Sequence, residues 1–224
     1  MRYLCLSSLL LAVSGFGQTR ARTIRSAGEG VVSVRPDQVR ITASVITQGT
    51  TAQEAADQNA TLVNNVLERL RALLGANADV RTVSYSVSPN YRTNPGGGPP
   101  QLVGYTATNS IQVTSGDLSL AGRIIDTATQ AGANSVGGLS FGLRDPEPQR
   151  QQALRAATQE ARQHAESIAM GLGVRLGQVL SAEEGTVSRA LTLDTRGVGA
   201  AAPTPVESGT LEVRATVTVE FEIQ

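Results

Sequence analysis

The last fifteen residues, TLEVRATVTVEFEIQ, alternate without interruption: Leu211, Val213, Ala215, Val217, Val219, Phe221 and Ile223 on one side, mostly charged or hydroxylated residues on the other. A period of two means a strand with one face on a core and the other in water. Such a long strand needs partners for its backbone, and at a sheet edge it needs cover. For an edge position, a neighbouring subunit is the expected cover. A porin-like barrel would show many segments of this kind, and this one is solitary, with a charged polar face.

Other strands read the same way. Val39 to Val45 (VRITASV) alternates, and GEGVVSVRP from Gly28 is expected to pair with it, turning at Pro36-Asp37. DVRTVSYSVSPNY and LVGYTATNSIQVT form a second expected pair, separated by RTNPGGGPPQ, whose glycines and prolines mark a hairpin tip. LGQVLSAEE reads as a further strand, and residues 185–209, rich in Gly, Ala and Pro, as a loop.

Three helices are expected. Thr51 and Glu54 make a capping box for a helix ending at Gly75, with Ala55, Asn59, Leu62, Val63, Val66 and Leu70 at helical spacing. A second helix runs from Asp117 to Gln130, stopped by Gly132. The third opens at Asp145-Pro146 and places Leu154, Ala157, Ala161, Ala165, Ile168 and Leu172 on one face. Antiparallel strand pairs interrupted by helices define an α+β fold, with three helices packed on one side of antiparallel sheet. The order of elements hints at two related halves.

The glycine-rich segment GANSVGGLSFGLRD decides between a phosphate loop and architecture. A Walker loop needs Gly-Lys-[Ser/Thr], and all 19 basic residues of this chain are arginine. A dinucleotide fingerprint needs its glycines between a strand and a helix, whereas here they occupy the strand at 136–144, and the next helix opens on Asp-Pro-Glu. Gly138, Ser140 and Gly142 form a bare face, which allows a helix or a second subunit to approach the backbone.

Other candidate chemistry is sparse. His164 is the single histidine and sits at the edge of a helical apolar stripe, with no second His to complete a metal site. No serine lies in G-x-S-x-G; Glu183-Glu184 end a strand, and Glu220 and Glu222 share a polar strand face. No catalytic, cofactor-binding or metal-binding residue is assigned. Formal net charge is zero, which argues against non-specific nucleic-acid binding.

At the N-terminus, Arg2 precedes an apolar run from Tyr3 to Val13, followed by Ser14, Gly15 and Gly17. This is the pattern of a secretory signal peptide over residues 1–17, and the run is too short for a transmembrane helix of about 20 residues. The single cysteine, Cys5, lies within that run, so the mature chain, expected as one domain over 18–224, has no thiol and no disulfide. It would have no transmembrane segment.

Taken together, several segments resemble the SIMPL-domain (DUF541) family, which includes periplasmic immunogenic proteins. The likeness is carried by GEGVVSVRPDQVRITASV, TAQEAADQNATLVNNVLERLRALLG, VRTVSYSVSPNY, GYTATNSIQVT and above all AGANSVGGLSFGLRDPEPQRQQALRAAT. Pro148 departs from the aliphatic residue more usual after D-P-E-x. The resemblance implies an exported, periplasmic α+β protein that self-associates, in some members into rings or channels, with a loose link to envelope or oxidative stress. It carries over no catalytic residue and no cofactor. The expectation is a non-enzymatic homo-oligomer supporting the cell envelope or a stress response, with peripheral envelope association. The alternative is a small-ligand-binding module using the glycine-faced strand around residues 136–144. A hydrolase working through His164 ranks third.

Overall fold

A computed structural model describes residues 22–75, 79–192 and 208–224. The expected signal peptide and most of the 185–209 loop lie outside the described residues. Two four-stranded antiparallel sheets carry the fold, each with helices on one face. The expected α+β architecture is what forms.

The first sheet contains β1 (Thr23–Val34), β6 (Leu176–Glu184), β7 (Ser188–Thr192) and β8 (Thr210–Ile223). β8 is central: β1 pairs along one side, and β6 and β7 share the other. The expectation of a subunit-covered edge at β8 is therefore corrected, because the chain supplies its own partners on both sides. Its strict alternation reflects α3 (Glu147–Leu172) on one face and solvent on the other. β7 is itself a correction, since it falls within the segment read as loop.

The second sheet has the order β3 (Asp79–Arg92), β4 (Gln101–Ser115), β2 (Gln38–Gly49), β5 (Ser135–Gly142). The β3–β4 hairpin forms as expected. The expected β1–β2 hairpin does not. β1 pairs with β8 and β2 with β4 and β5, so Arg35-Pro36-Asp37 carries the chain from one sheet to the other. Alternation identified both strands but was silent about their partners.

α1 (Ala52–Leu74) and α2 (Ala121–Ala131) cover the second sheet. Their apolar faces meet Val39, Ile41, Ala43, Val45, Ile111 and Val113, all essentially fully buried. Thr51 caps α1 as expected, accepting from the Glu54 N–H at 3.1 Å. The Glu54 carboxylate reaches one residue further back than a capping box requires, to the Thr50 N–H and hydroxyl at 2.8 and 2.7 Å. Asn59 is wholly buried on α1 and donates to the Val45 and Ala107 carbonyls at 2.8 and 3.2 Å, tying the helix to two strands.

α3 follows a different rule. Its buried face is Ala153, Ala157, Ala161, Ala165 and Ala169, one residue every four. This corrects the expected stripe: Ile168 and Leu172 are 43% and 65% exposed, and Leu154 is only partly buried. The cause lies in β1, where Ser26, Gly28 and Gly30 face the helix. A Cβ on Gly28 or Gly30 would overlap the carbonyl oxygens of Ala157 and Ala153. With so close a backbone approach, only methyl groups fit between helix and strand. The N-terminus of α3 is also shifted by one: Pro146 is the cap residue, and Asp145 Oδ1 accepts from the Glu147 N–H at 3.0 Å.

The two sheets meet where β5 ends. Leu143 packs against Ala153, Val213 and Ala215. Nearby, Asp37 donates its N–H to the Gly142 carbonyl at 3.0 Å and accepts from the Arg144 N–H at 2.7 Å.

Candidate functional site

The glycine-faced strand is β5 (Ser135–Gly142). β5 is an edge strand, exposed from Ser135 through Ser140. Its pairing with β2 skips from Ser140–Arg40 to Gly137–Thr42, leaving Gly138 and Leu139 opposite the single residue Ile41. Gly138 has φ +60, so this is a G1 β-bulge that needs a left-handed glycine. A Cβ on Gly137 or Gly142 would meet nothing within 4 Å. The bare face is open there, and among the described residues no helix stands against it. The expected close approach of a helix is found instead at Gly28 and Gly30.

His164, Glu183, Glu184 and Glu220 each have a partner in the architecture. His164 Nδ1 is 2.9 Å from the Ala27 carbonyl, so that nitrogen donates to the backbone of β1. One turn earlier, the Glu160 carboxylate accepts from the Glu29 N–H. β1 has β8 on one side only, so these side chains from α3 occupy main-chain groups on its free edge. Glu183 pairs with Arg25 at 3.3 Å, and Glu184 with Arg150 at 2.6 Å. The Arg150 pKa is raised, chiefly by its hydrogen bond to Glu184. Glu220 accepts from the Ser181 hydroxyl at 3.4 Å. Arg214 bridges Glu29 and Glu212 at 2.8 and 2.7 Å, and the Glu29 hydrogen bond is the main cause of its raised pKa. The ion pairs among these lie at the surface and are of small energetic weight.

Two open clefts flank the second sheet. One, between α1 and α2, is lined by Asn65, Arg69, Leu73, Thr127 and Gln130. The other gathers Gln38, Asp79, Thr114, Asp117 and Arg144 where β4 ends. Among the described residues, no group of three or more His, Cys, Asp or Glu side chains is placed to hold a metal ion.

What the strand reading missed is an apolar stripe on β3. Tyr85, Val87 and Pro89 lie opposite Asn109, Ala107 and Tyr105, on the face of the sheet that α1 and α2 cover, and alternation adds Tyr91 opposite Leu102. The helices stop short of it: Tyr85 is 53%, Tyr91 61% and Leu102 49% exposed. Beyond Tyr105, which pairs with the last residue of β2, the hairpin runs on as two strands alone. The legible signal was Tyr, Val, Pro, Tyr at every second residue; only the structure shows that, among the described residues, no helix reaches Tyr85 or Tyr91.

Two antiparallel sheets, each with helical cover on one face, place this chain in the α+β class. Comparison with known proteins names it further. The chain matches the SIMPL family, a protein of unknown function (DUF541), over residues 24–221, and belongs to that family. It is similar to the 26 kDa periplasmic immunogenic protein of Brucella melitensis, 28% identical over 92% of this chain and 86% of that protein. It is also similar to two proteins called uncharacterized protein YggE. That of Edwardsiella ictaluri is 27% identical over 88% of this chain and 82% of its own length. That of Escherichia coli K12 is 30% identical over 61% and 63%. Among the described residues no helix is long and apolar enough to cross a membrane.

Proposed function

We propose that this chain is an exported periplasmic protein that acts by self-association, without catalysis or a cofactor, in support of the cell envelope or of an oxidative stress response. Residues 1–17 serve as the signal peptide, and 18–224 form the mature domain. Support for the compartment comes from the signal-like N-terminus and from relatives named periplasmic. The observation that carries self-association is the uncovered tyrosine stripe. β1 has its free edge bonded by α3 and β5 is bent by a bulge, yet Tyr85 and Tyr91 of β3 are more than half exposed, with no helix over them among the described residues. Exposed apolar surface with aromatic anchors marks an interaction site.

Fractionation tests the compartment and a deletion strain tests the role. The expected results are a periplasmic chain beginning at residue 18 and greater sensitivity of the deletion strain to detergent or peroxide, restored by the gene. An uncleaved cytoplasmic chain, or a deletion strain indistinguishable from its parent under both stresses, would overturn the proposal.

A further inference from the structure

The two side chains that α3 lays along the free edge of β1 form a defined pattern. We infer that Glu160 and His164 are an edge guard: together they take the place of one residue of an added strand, and so keep β1 from pairing with extended chain of another molecule.

The pattern is set by the backbone. β1 has β8 on one side, and the outward groups of its other side include the Ala27 carbonyl and the Glu29 N–H. A strand added in parallel would bring one residue opposite Gly28. The N–H of that residue would bond the carbonyl before Gly28, and its carbonyl the N–H after. His164 Nδ1 donates to the Ala27 carbonyl at 2.9 Å, and the Glu160 carboxylate accepts from the Glu29 N–H. Donor and acceptor therefore stand where the added residue would offer its own. They lie one turn apart on α3, and they reach the edge because Gly28 and Gly30 let the helix backbone come so close.

β1 is also the edge that needs such a device. It keeps register with β8 over all 12 of its residues without a shift. Among the described residues, the other long edge strands are irregular. β5 has its bulge at Gly138, and β6 shifts register twice between Leu176 and Ser181. β3 shifts between Thr82 and Ser84 and between Asn90 and Tyr91, and Pro89 has no N–H to offer. β7 is only five residues long. Bulges, prolines and shortness each spoil an edge, and so does cover from a helix. β1 lacks the first three and has the fourth, near the middle of the strand. The guard is independent of the tyrosine stripe, and of whether the unchanged chain is one copy or several.

The test compares four mature chains: unchanged, Glu160→Ala/His164→Ala, Glu160→Gln/His164→Asn, and the alanine pair with Val31→Pro added. Glu160→Gln keeps an acceptor and His164→Asn a donor, since Asn Nδ2 stands as many bonds from the backbone as His Nδ1. Val31→Pro removes an outward N–H further along the same edge and leaves the β8 ladder intact. Mass is measured by light scattering after gel filtration over a concentration series, and far-UV circular dichroism checks that each form is folded. The alanine pair is expected to stay folded and to reach at least double the parent mass as concentration rises. The Gln/Asn pair and the Val31→Pro form are expected to keep the parent mass. A folded alanine pair that keeps the parent mass overturns the guard. Growth that persists with Val31→Pro overturns it too, because that assembly runs through another surface, as does equal growth in the Gln/Asn pair. If the alanine pair loses its circular dichroism, His164→Ala alone is measured by the same criteria, and parent mass there overturns the inference.

Discussion

Gly28 on β1 lies directly beneath the carbonyl of Ala157 on α3, so closely that a single Cβ would collide with it. Two periodicities make this contact repeat. Every fourth residue of a helix advances about 6 Å, and every second residue of a strand about 6.7 Å. Ala153, Ala157 and Ala161 therefore keep step with Gly30, Gly28 and Ser26, and the Ser26 hydroxyl closes the row by donating to the Ala161 carbonyl at 2.7 Å. Gly28→Ala or Gly30→Ala is expected to cost about 2–3 kcal/mol through overpacking. Urea unfolding should show a lower midpoint with an unchanged slope; a midpoint equal to that of the parent would contradict the packing.

The glycines of β5 should behave oppositely to one another. Gly138 holds φ +60 in the bulge, with Thr42 Oγ1 3.2 Å from where a Cβ would stand, so Gly138→Ala is expected to cost about 1–2 kcal/mol. Gly137 and Gly142 face open space, and Gly137→Ala should be neutral or stabilising by about 0.5 kcal/mol through the unfolded state. Thermal melts of the two variants would separate them.

Asn59 is the polar group on which the second sheet's core depends. Its side chain gives both hydrogens to strand carbonyls in a site with no exposure. Asn59→Ala leaves those buried carbonyls without this donor and is expected to cost about 1–3 kcal/mol, measured by denaturant titration. Asn59→Leu should be no better, because its added volume brings no donor.

Acid should loosen the start of α1. The Glu54 carboxyl lies below its ordinary range, first because the Thr50 hydroxyl donates to it and then because the Thr50 N–H does. A depressed carboxylate contributes stability above its unfolded pKa and loses it as pH falls through the folded value. The stability gap between the parent and Glu54→Gln is therefore expected at pH 7 and should narrow at pH 3. An equal gap at both pH values would show that the charge plays no part.

Much of this fold was legible because the relevant signals are local. Thr51, Asn59 and Gly75 marked α1, and Tyr85 to Tyr91 alternated as a strand should. Partnership between strands was not legible. β1 and β2 adjoin in sequence and alternate alike, so nothing local revealed that one pairs with β8 and the other with β4. The face of α3 was misjudged for a similar reason. Leucine and isoleucine are the usual core residues, and alanine wins only where glycines opposite bring the backbones together. Gly138 was singled out in sequence, but its bulge depends on the register with Ile41, which belongs to tertiary structure. The exposure of the tyrosine stripe depends on where two helices stop.

The most direct test of the account is the mass of the unmodified mature chain in solution, by light scattering coupled to gel filtration. The account predicts a discrete species of at least two chains, against 23.3 kDa for one full-length copy before any cleavage. A single copy at every concentration measured would contradict it, and would leave the tyrosine stripe as a surface for some other partner.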